Sequence, residues 1–368
     1  MKLSKIPKMF FVGGFLGAGK TTAIQTLAKL FTRQGLKAAA ITNDQATGLV
    51  DTIFLSKAGI PSEEVAGSCF CCNFNGLASA INHSIAAAAP DIILAEPVGS
   101  CTDIVATVIR PMRSLMKDKV DVLAYTVLVE PDRWVELSDQ NPSWSMKFLF
   151  DKQIQEADFV VLTKLDTLKP ERAKELLEQL AHQYPESPVL GISALTGVGM
   201  AEWKNLVQTT PPGEHWLRDI DYQKYADAEA EMGWLNGLAT MKFPAPVDGK
   251  TISGRLAEKI AQGIGERNGK IGHLKLLVVG PTGSVKVGMT HVEEKPALEG
   301  TFVGLVPSLE VTINARATLS PGDLADIVHS ALELFKESEH AEVDISAVNT
   351  FRPGAPKPTY RYGDSAHQ

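Results

Sequence analysis

Cysteine is scarce in this sequence: there are four in 368 residues, at positions 69, 71, 72 and 101. A disulfide framework spreads its half-cystines along the chain to close loops, whereas Cys69, Cys71 and Cys72 lie side by side, so a disulfide-stapled scaffold is excluded. Charge of one sign is lacking as well. Lys and Arg total 36 against 43 Asp and Glu, a formal net charge of -7, which provides no electrostatic reason to expect nucleic acid or an anionic membrane as partner. No uninterrupted apolar run reaches the ~20 residues that span a bilayer. Lys2, Lys5 and Lys8 precede the apolar Met9–Val12, but that run passes straight into glycines and not into a cleavage site. This argues against a signal peptide and for a cytoplasmic protein. The eight histidines form no cluster, and neither internal repeats nor low-complexity tracts are present.

What is present is ample apolar content, 44% of residues, in a chain long enough for two domains. Between residues 8 and 210 short apolar runs alternate with helical patterns. Strands are predicted at Met9–Val12, Ala38–Thr42, Asp91–Glu96, Val122–Glu130, Phe159–Thr163 and Val189–Ile192. Between them, Thr21–Phe31 places Ile24, Leu27, Ala28 and Phe31 on one helical face, and Pro170–His182 does the same with Leu176, Leu177 and Leu180. This order predicts an α/β fold with a mainly parallel sheet flanked by helices, whose ligand crevice lies at the carboxyl ends of the strands. Thr209-Thr-Pro-Pro-Gly213 marks a boundary, dividing the chain into 1–212 and 213–368. Beyond it, Ile252–Ile264 is a predicted helix. Leu274–Val279 and Val285–Met289 flank a hairpin turn at Gly280-Pro-Thr-Gly283, Leu309–Ala315 and Val343–Ala347 are strands, and Ser320-Pro-Gly-Asp323 starts a helix. The second domain is therefore a smaller α+β unit, followed by an extended tail from Phe351.

The densest chemistry sits after the first strand. Gly14-Phe-Leu-Gly-Ala-Gly19-Lys20-Thr21 is a Walker A loop: glycines let the backbone curl so that consecutive N–H groups face a phosphate, and the following helix adds the positive end of its dipole. Gly14, Gly17, Ala18, Gly19, Lys20, Thr21 and Thr22 are the candidate phosphate contacts. Lys20 would reach the β- and γ-phosphates, and Thr21 would offer a hydroxyl to Mg²⁺. Glu96 ends the strand Asp91–Glu96, where a Walker B acid orients Mg²⁺ or water, and Gly99 would let a backbone approach the γ-phosphate. Asn43-Asp44 ends another strand. Asp44 would join the magnesium shell or position water, or the pair simply forms a turn. Lys20, Asp44 and Glu96 are the candidate catalytic residues. Thr163-Lys164-Leu165-Asp166 follows a further strand and resembles the Asn-Lys-x-Asp element of GTPases, in which the carboxylate accepts from N1 and N2 of guanine; adenine lacks that donor pair. Ser193-Ala194-Leu-Thr-Gly197 would offer a backbone N–H to the guanine carbonyl. Together these elements favour GTP over ATP.

Gly67-Ser-Cys69-Phe-Cys71-Cys72 places three thiolates on a short loop, able to approach one tetrahedral soft metal such as Zn²⁺. The fourth ligand is water, a target residue or Cys101. Cys101 sits two residues after Glu96-Pro-Val-Gly99 and either joins the shell as nucleotide changes or is a small buried residue. His83 is closest in sequence among the histidines and fits a surface position.

Gly13-Gly-Phe-Leu-Gly-Ala-Gly-Lys-Thr-Thr22, Cys69-Phe-Cys71-Cys72, and Gln153-Ile-Gln-Glu-Ala-Asp158 leading into Thr163–Asp166 together resemble the CobW-type metallochaperone GTPases, relatives of the GTPases that serve nickel insertion into urease and hydrogenase. Thr42-Asn43-Asp44 looks more like the urease-accessory branch, and Glu96-Pro-Val-Gly99 more like the hydrogenase-accessory branch. The resemblance covers residues 8–210. It implies GTP-dependent binding and delivery of a transition metal, often zinc, to a client metalloprotein, with a homodimer or nucleotide-dependent dimer. Thr163 stands where Asn is usual, as in signal-recognition GTPases. The histidine-rich stretch of many members is absent, which weakens a storage role. The second domain resembles the family's partner-choosing domain only loosely. Two other readings remain: a GTPase chaperone that gates cofactor loading of a partner enzyme, for example a corrinoid enzyme, with the metal structural; and a P-loop metabolic kinase, against which the guanine elements argue.

Overall fold

The computed structural model describes residues 6–43, 50–138, 145–213 and 215–363. They form two compact units, one comprising 1–47, 51–225 and 355–368, the other 48–50 and 226–354. The first unit thus runs past the Pro-Pro-Gly break at 211–213, because the chain beyond it keeps packing onto the same unit. His215 Nδ1 meets the Ala157 carbonyl at 2.9 Å, and the backbone N–H of Thr102 donates to the Tyr225 hydroxyl at 3.3 Å.

In the first unit, strands β1 (Lys8–Gly14), β2 (Ala38–Asn43), β3 (Ser62–Val65), β4 (Ile92–Glu96), β5 (Asp121–Val122), β6 (Thr126–Val129), β7 (Phe159–Leu162) and β8 (Val189–Gly191) make one parallel sheet. Its order is β3-β2-β4-β1-β6-β7-β8, with β5 pairing β1. The predicted strand Val122–Glu130 is two strands, with Leu123–Tyr125 between them. The polar edge strand β3, Ser-Glu-Glu-Val, carries no apolar run that would announce it. The predicted amphipathic helices are present as Lys20–Arg33 and Pro170–Gln183, burying Ile24, Leu27, Ala28 and Phe31 in one case and Leu176 and Leu180 in the other. The apolar stripe of Lys20–Arg33 joins β-strand residues such as Phe10, Val12 and Leu94, with Trp203 edge-on to Phe10 at 5.6 Å.

In the second unit β9 (Gly233–Val247), β10 (Ile271–Gly280), β11 (Gly283–Met289), β12 (Ala297–Phe302), β13 (Val306–Ala317) and β14 (Glu342–Phe351) form an antiparallel sheet in the order β12-β11-β10-β13-β9-β14. Gly280 pairs with Gly283, closing the two-residue hairpin expected there. Helices Gly249–Glu266 and Pro321–Ser338 share one core with the sheet. Ser320 caps the second as the sequence suggests, its hydroxyl accepting from the Asp323 N–H at 3.1 Å. The long β9 and the short β12 were not foreseen. Glycine, proline and asparagine interrupt the alternation of the one, and in the other Glu299, Gly300 and Thr301 break the apolar pattern of Ala297, Leu298 and Phe302.

One contact of the first unit sets the geometry of the site. After β4 the chain crosses to a helical stretch, Val105–Ile109 in a wide π-type turn continuing into Arg110–Leu115. Its N-terminal donors are met by the buried Glu156, which accepts from Val105 N at 2.9 Å, Ile104 N at 3.2 Å and the Thr102 hydroxyl at 3.2 Å. Burial, then the nearby Asp103 charge, pushes the Glu156 carboxyl up to about 8, against those three donors. An unfolded Glu titrates near 4.3. Between those values the folded chain holds a proton that the unfolded chain has lost, so this group's contribution to stability is fully present below the lower value and is lost as pH rises toward the upper one. The expected outcome is a denaturant midpoint that falls from pH 5 to pH 8, at most ~1.4 kcal/mol per pH unit from this group. Glu156→Gln should flatten that dependence. An unchanged slope in the variant would remove Glu156 as its source.

Candidate functional site

The phosphate loop leaves β1 through Gly14, whose φ of 131° only glycine adopts readily, and where an added Cβ would stand 2.4 Å from the Leu128 carbonyl oxygen. Gly17 and Gly19 are also left-handed, with φ of 80° and 83°. Ala18 is buried in the loop, and Thr22 follows in the first turn of the helix Lys20–Arg33. Lys20 folds back inside the curl, its Nζ donating to the carbonyls of Gly14 at 2.9 Å and Phe15 at 3.2 Å. A cation enclosed in a ring of glycine-shaped backbone at a helix N-terminus is an anion cradle.

The Thr21 hydroxyl lies beside two carboxylates, donating to Asp51 Oδ1 at 2.8 Å and standing 3.1 Å from Glu96 Oε1. Three oxygen donors converging beside a phosphate cradle fit a hard divalent cation such as Mg²⁺. Glu96 ends β4 and is buried. Asp51 escaped sequence reading. It opens the short helix Val50–Lys57, which has no amphipathic stripe and follows no recognisable motif. Asp44 lies outside the described residues. Its neighbour Asn43 is no bare turn former: its side-chain amide donates to the carbonyls of Val65 and Ser68, both at 2.8 Å, and its oxygen accepts from Phe70 N at 2.7 Å. Asn43 thereby ties the end of β2 to the start of the cysteine loop.

At the other end of the sheet, Thr163 and Ser193 follow β7 and β8. Lys164 is left-handed with φ of 53°, and its Nζ reaches Glu130 Oε1 at 3.3 Å. Asp166 accepts from the Ser193 hydroxyl at 2.5 Å, and that hydroxyl accepts from Thr196 N at 3.1 Å. The Ala194 carbonyl accepts from Thr26 of the phosphate-loop helix at 3.0 Å. Thr163, Lys164, Asp166, Ser193 and Ala194 are thus brought together, with the carboxylate of Asp166 held in a fixed direction.

The cysteine loop precedes the helix Phe74–Ala88, which Asn73 caps by accepting from Gly76 N. Cys72 N and Asn73 N both donate to the Cys69 carbonyl, at 3.1 and 2.9 Å, and this turn gathers the thiols. Cys69 Sγ and Cys71 Sγ are 2.9 Å apart, Cys71 and Cys72 are 3.8 Å apart, and all three ligand atoms lie within 4.8 Å of one another. Zn–S bonds of about 2.3 Å at tetrahedral angles put sulfurs about 3.8 Å apart, so the cluster fits one thiophilic ion with little movement. Cys69 and Cys71 are buried. Side-chain hydrogen bonds with Cys101, Cys69 and Cys72, in that order, push the Cys71 thiol well above the ordinary range. His83 is a surface residue paired with Glu63 at 2.8 Å.

Sequence reading gave no hint that the carboxyl-terminal tail returns to this loop. Lys357 N donates to Cys72 Sγ at 3.1 Å, Thr359 N to the Cys71 carbonyl at 2.8 Å, and the Thr359 hydroxyl to the Cys72 carbonyl at 3.1 Å. Tyr360 packs edge-on against Phe74 at 5.1 Å. Arg361 Nε then pairs with Asp103 Oδ2 at 2.8 Å, and Tyr362 N donates to the Ala106 carbonyl at 2.8 Å. The tail therefore straps the thiol loop and the segment after β4.

Residues 8–190 match the family model described as CobW/HypB/UreG, nucleotide-binding domain. The zinc chaperone CobW of Pseudomonas aeruginosa is 27% identical over 217 residues, 50% of this chain and 55% of that protein. The urease accessory protein UreG of Ureaplasma parvum is 40% identical over 63 residues, 17% of this chain and 31% of that protein. The chain thus spans about half the length of the one and about a third of the other. Among solved structures, the Zn(II)-bound YjiA GTPase from E. coli is similar with a TM-score of 0.35 and 16% identity, over 89% of this chain and 98% of that one. No described helix is long and apolar enough to cross a membrane.

Deleting residues 355–368 takes three hydrogen bonds from Cys71 and Cys72 and leaves the sheet untouched. The expected result is severalfold faster reaction of these thiols with Ellman's reagent at an unchanged far-ultraviolet circular dichroism spectrum. Equal rates in the full-length and shortened chains would contradict a covering role for the tail.

Proposed function

Because residues 8–190 belong to the CobW/HypB/UreG nucleotide-binding domain family, a family of P-loop GTPases, we propose that this protein hydrolyses GTP and couples its nucleotide state to the binding and delivery of a transition metal, zinc first among candidates, to a client metalloprotein in the cytoplasm. The observation that carries this reading is that the protein has two distinct ligand sets: the Asp51 and Glu96 carboxylates converge on the Thr21 hydroxyl beside the phosphate cradle, and the Cys69, Cys71 and Cys72 sulfurs lie within 4.8 Å of one another.

In this reading Lys20 leaves the Gly14 and Phe15 carbonyls for the β- and γ-phosphates. Thr21, Asp51 and Glu96 would hold Mg²⁺, which would neutralise phosphate charge when bound. Asp44 remains a proposed participant. Glu96 accepts a hydrogen bond from the attacking water. The water oxygen bonds to the γ-phosphorus, the bond to the β–γ bridging oxygen breaks, and GDP and inorganic phosphate leave. Gly99 has room for nothing larger: an added Cβ would stand 3.0 Å from Lys20 Nζ and from Leu16 N. This close fit supports the reading in which its backbone senses a γ-phosphate. Cys69, Cys71 and Cys72 hold the cargo, and a dimer or docked client completes the surroundings. No arginine is assigned to the transferring phosphate, so intrinsic turnover is expected to be slow.

Two measurements test this. Zinc titration of the full chain with GDP and with a non-hydrolysable GTP analogue should yield different affinities, since a nucleotide that binds both metal states equally shifts nothing; equal affinities would refute the coupling. Asp166→Asn replaces an acceptor with a group that cannot take both guanine donors. It should lower kcat/KM for GTP by roughly 10⁴-fold while improving use of xanthosine triphosphate, whose 2-oxo group accepts where guanine donates. Undiminished GTP use by this variant would remove Asp166 from base recognition.

A further inference from the structure

The stretch that returns to the cysteine loop reads Ala355-Pro-Lys-Pro-Thr-Tyr360, and Pro356 and Pro358 carry no N–H. Between Pro356 and Thr359 the only main-chain donors are therefore those of Lys357 and Thr359. Both are directed at the loop. Lys357 N donates to Cys72 Sγ at 3.1 Å, and Thr359 N to the Cys71 carbonyl at 2.8 Å. The Thr359 hydroxyl donates to the Cys72 carbonyl at 3.1 Å. A proline disfavours helical backbone in the residue before it, so Pro358 presets Lys357 in an extended conformation. The sulfur met by Lys357 is the accessible one: Cys69 and Cys71 are buried, and Cys72 is half-buried. The two ends of the stretch are held differently. Arg361 Nε pairs with Asp103 Oδ2 at 2.8 Å, its Nη2 donates to the Leu217 carbonyl at 2.7 Å, and its guanidinium lies 5.7 Å from the centre of the Trp216 ring. Lys357 and Thr359 are exposed and rest on the loop by backbone and one hydroxyl. A segment so attached opens at lower cost than the sheet beneath it.

We propose that residues 357–361 form a strap that retains a thiophilic ion on the cysteine loop, through the Lys357 N–H on the Cys72 sulfur, and that its Lys357–Thr359 part must lift before the ion passes to another protein. This rests on the metal-carrying reading above and deepens it. Loading displaces the Cys72 proton to solvent, and the sulfur becomes an anion. The Lys357 N–H bond to it is then charge-assisted and roughly twice as strong as a bond to a neutral acceptor. Metal binding thus tightens the strap, and the strap holds the ligand sulfur in place. Departure reverses these steps. The N–H bond to sulfur opens, the metal–sulfur bond to Cys72 is exchanged for a bond to an incoming ligand, and the freed thiolate takes a proton from solvent. Cys72 exchanges first because the other two sulfurs are buried. Arg361 stays anchored at Asp103 throughout, so the strap lifts about one fixed end and closes again.

The test is the rate at which the full chain, loaded with Zn²⁺ alone, loses the ion to an excess of a chromogenic chelator. Lys357→Pro removes the N–H from a position already flanked by prolines. It should release zinc roughly 10-fold faster, the size of effect expected when a group supporting a metal ligand is lost. Lys357→Ala keeps the N–H and should release at the wild-type rate. Arg361→Ala loosens the fixed end and should also release faster. A second measurement needs no variant: hydrogen exchange at the Lys357 amide of the wild-type chain should slow severalfold on zinc loading. Equal release from the wild type and Lys357→Pro overturns the strap and leaves the metal-carrying reading intact, and so does release from Lys357→Ala as fast as from Lys357→Pro. Amide exchange that is unchanged by zinc overturns it as well, and decides the matter even if the variants misfold. A wild-type chain that binds no zinc overturns the metal-carrying reading and this inference together.

Discussion

The clamp made by Gln153 and Glu156 on the segment Gly99–Val105 is the constraint on which the site depends. That segment is buried and mostly irregular, and buried backbone groups without a ladder must find partners elsewhere. Gln153 serves two of its carbonyls. Glu156 serves two of its N–H groups and a hydroxyl. Both side chains lie one helical turn apart at the end of Lys147–Gln155, which puts them on one face. The arrangement has a cost, since a fully buried carboxyl resists ionisation. The cost is tolerated because an unclamped segment would leave those donors and acceptors unpaired, at about 1–3 kcal/mol each.

Asp103 extends the same logic. Its backbone is left-handed, with φ of 59°, a conformation that aspartate tolerates better than most residues. Burial raises its carboxyl, and the Tyr222 hydroxyl and Arg361 guanidinium oppose that rise. Arg361 is anchored in turn by the Leu217 carbonyl at 2.7 Å. The tail therefore does more than cover sulfur. It connects the thiol loop at Lys357–Thr359 to Asp103 at Arg361, so two segments distant in sequence share one tether of five residues.

The local parts of this molecule were legible in its sequence. The strand–glycine loop–helix order of the phosphate cradle depends on conformations that few residues adopt, so Gly14 through Thr21 announce themselves. The helix start at Ser320-Pro-Gly-Asp323 and the turn at Gly280–Gly283 are legible for the same reason. Residues whose role comes from distant contact were not. Asp51 is one acid on an unpatterned helix until the fold sets it beside Thr21. Asn43 resembles a turn residue until its amide is seen to span Val65, Ser68 and Phe70. The tail from Ala355 is polar and proline-rich, and its described residues, 355–363, form no helix or strand, so nothing in its pattern reveals that it folds back on Cys71 and Cys72.

In the proposed reading the two candidate ion sites are kept apart by donor chemistry. Oxygens of Thr21, Asp51 and Glu96 suit a hard ion that keeps several waters, and sulfurs of the cysteine loop suit a soft one. Neither set of ligands would compete well for the other's ion. Separation of the ligands also bounds what nucleotide can do to cargo. Coupling between two sites typically amounts to about 1–3 kcal/mol, or 5–150-fold in affinity. A swing of that size empties a site only where free metal lies between the two affinities. Outside that window hydrolysis would turn over without moving cargo. Under the proposed reading, release would then need a client whose own thiolates or imidazoles displace the cysteine loop, and the client's affinity, added to the nucleotide's, would make transfer favourable.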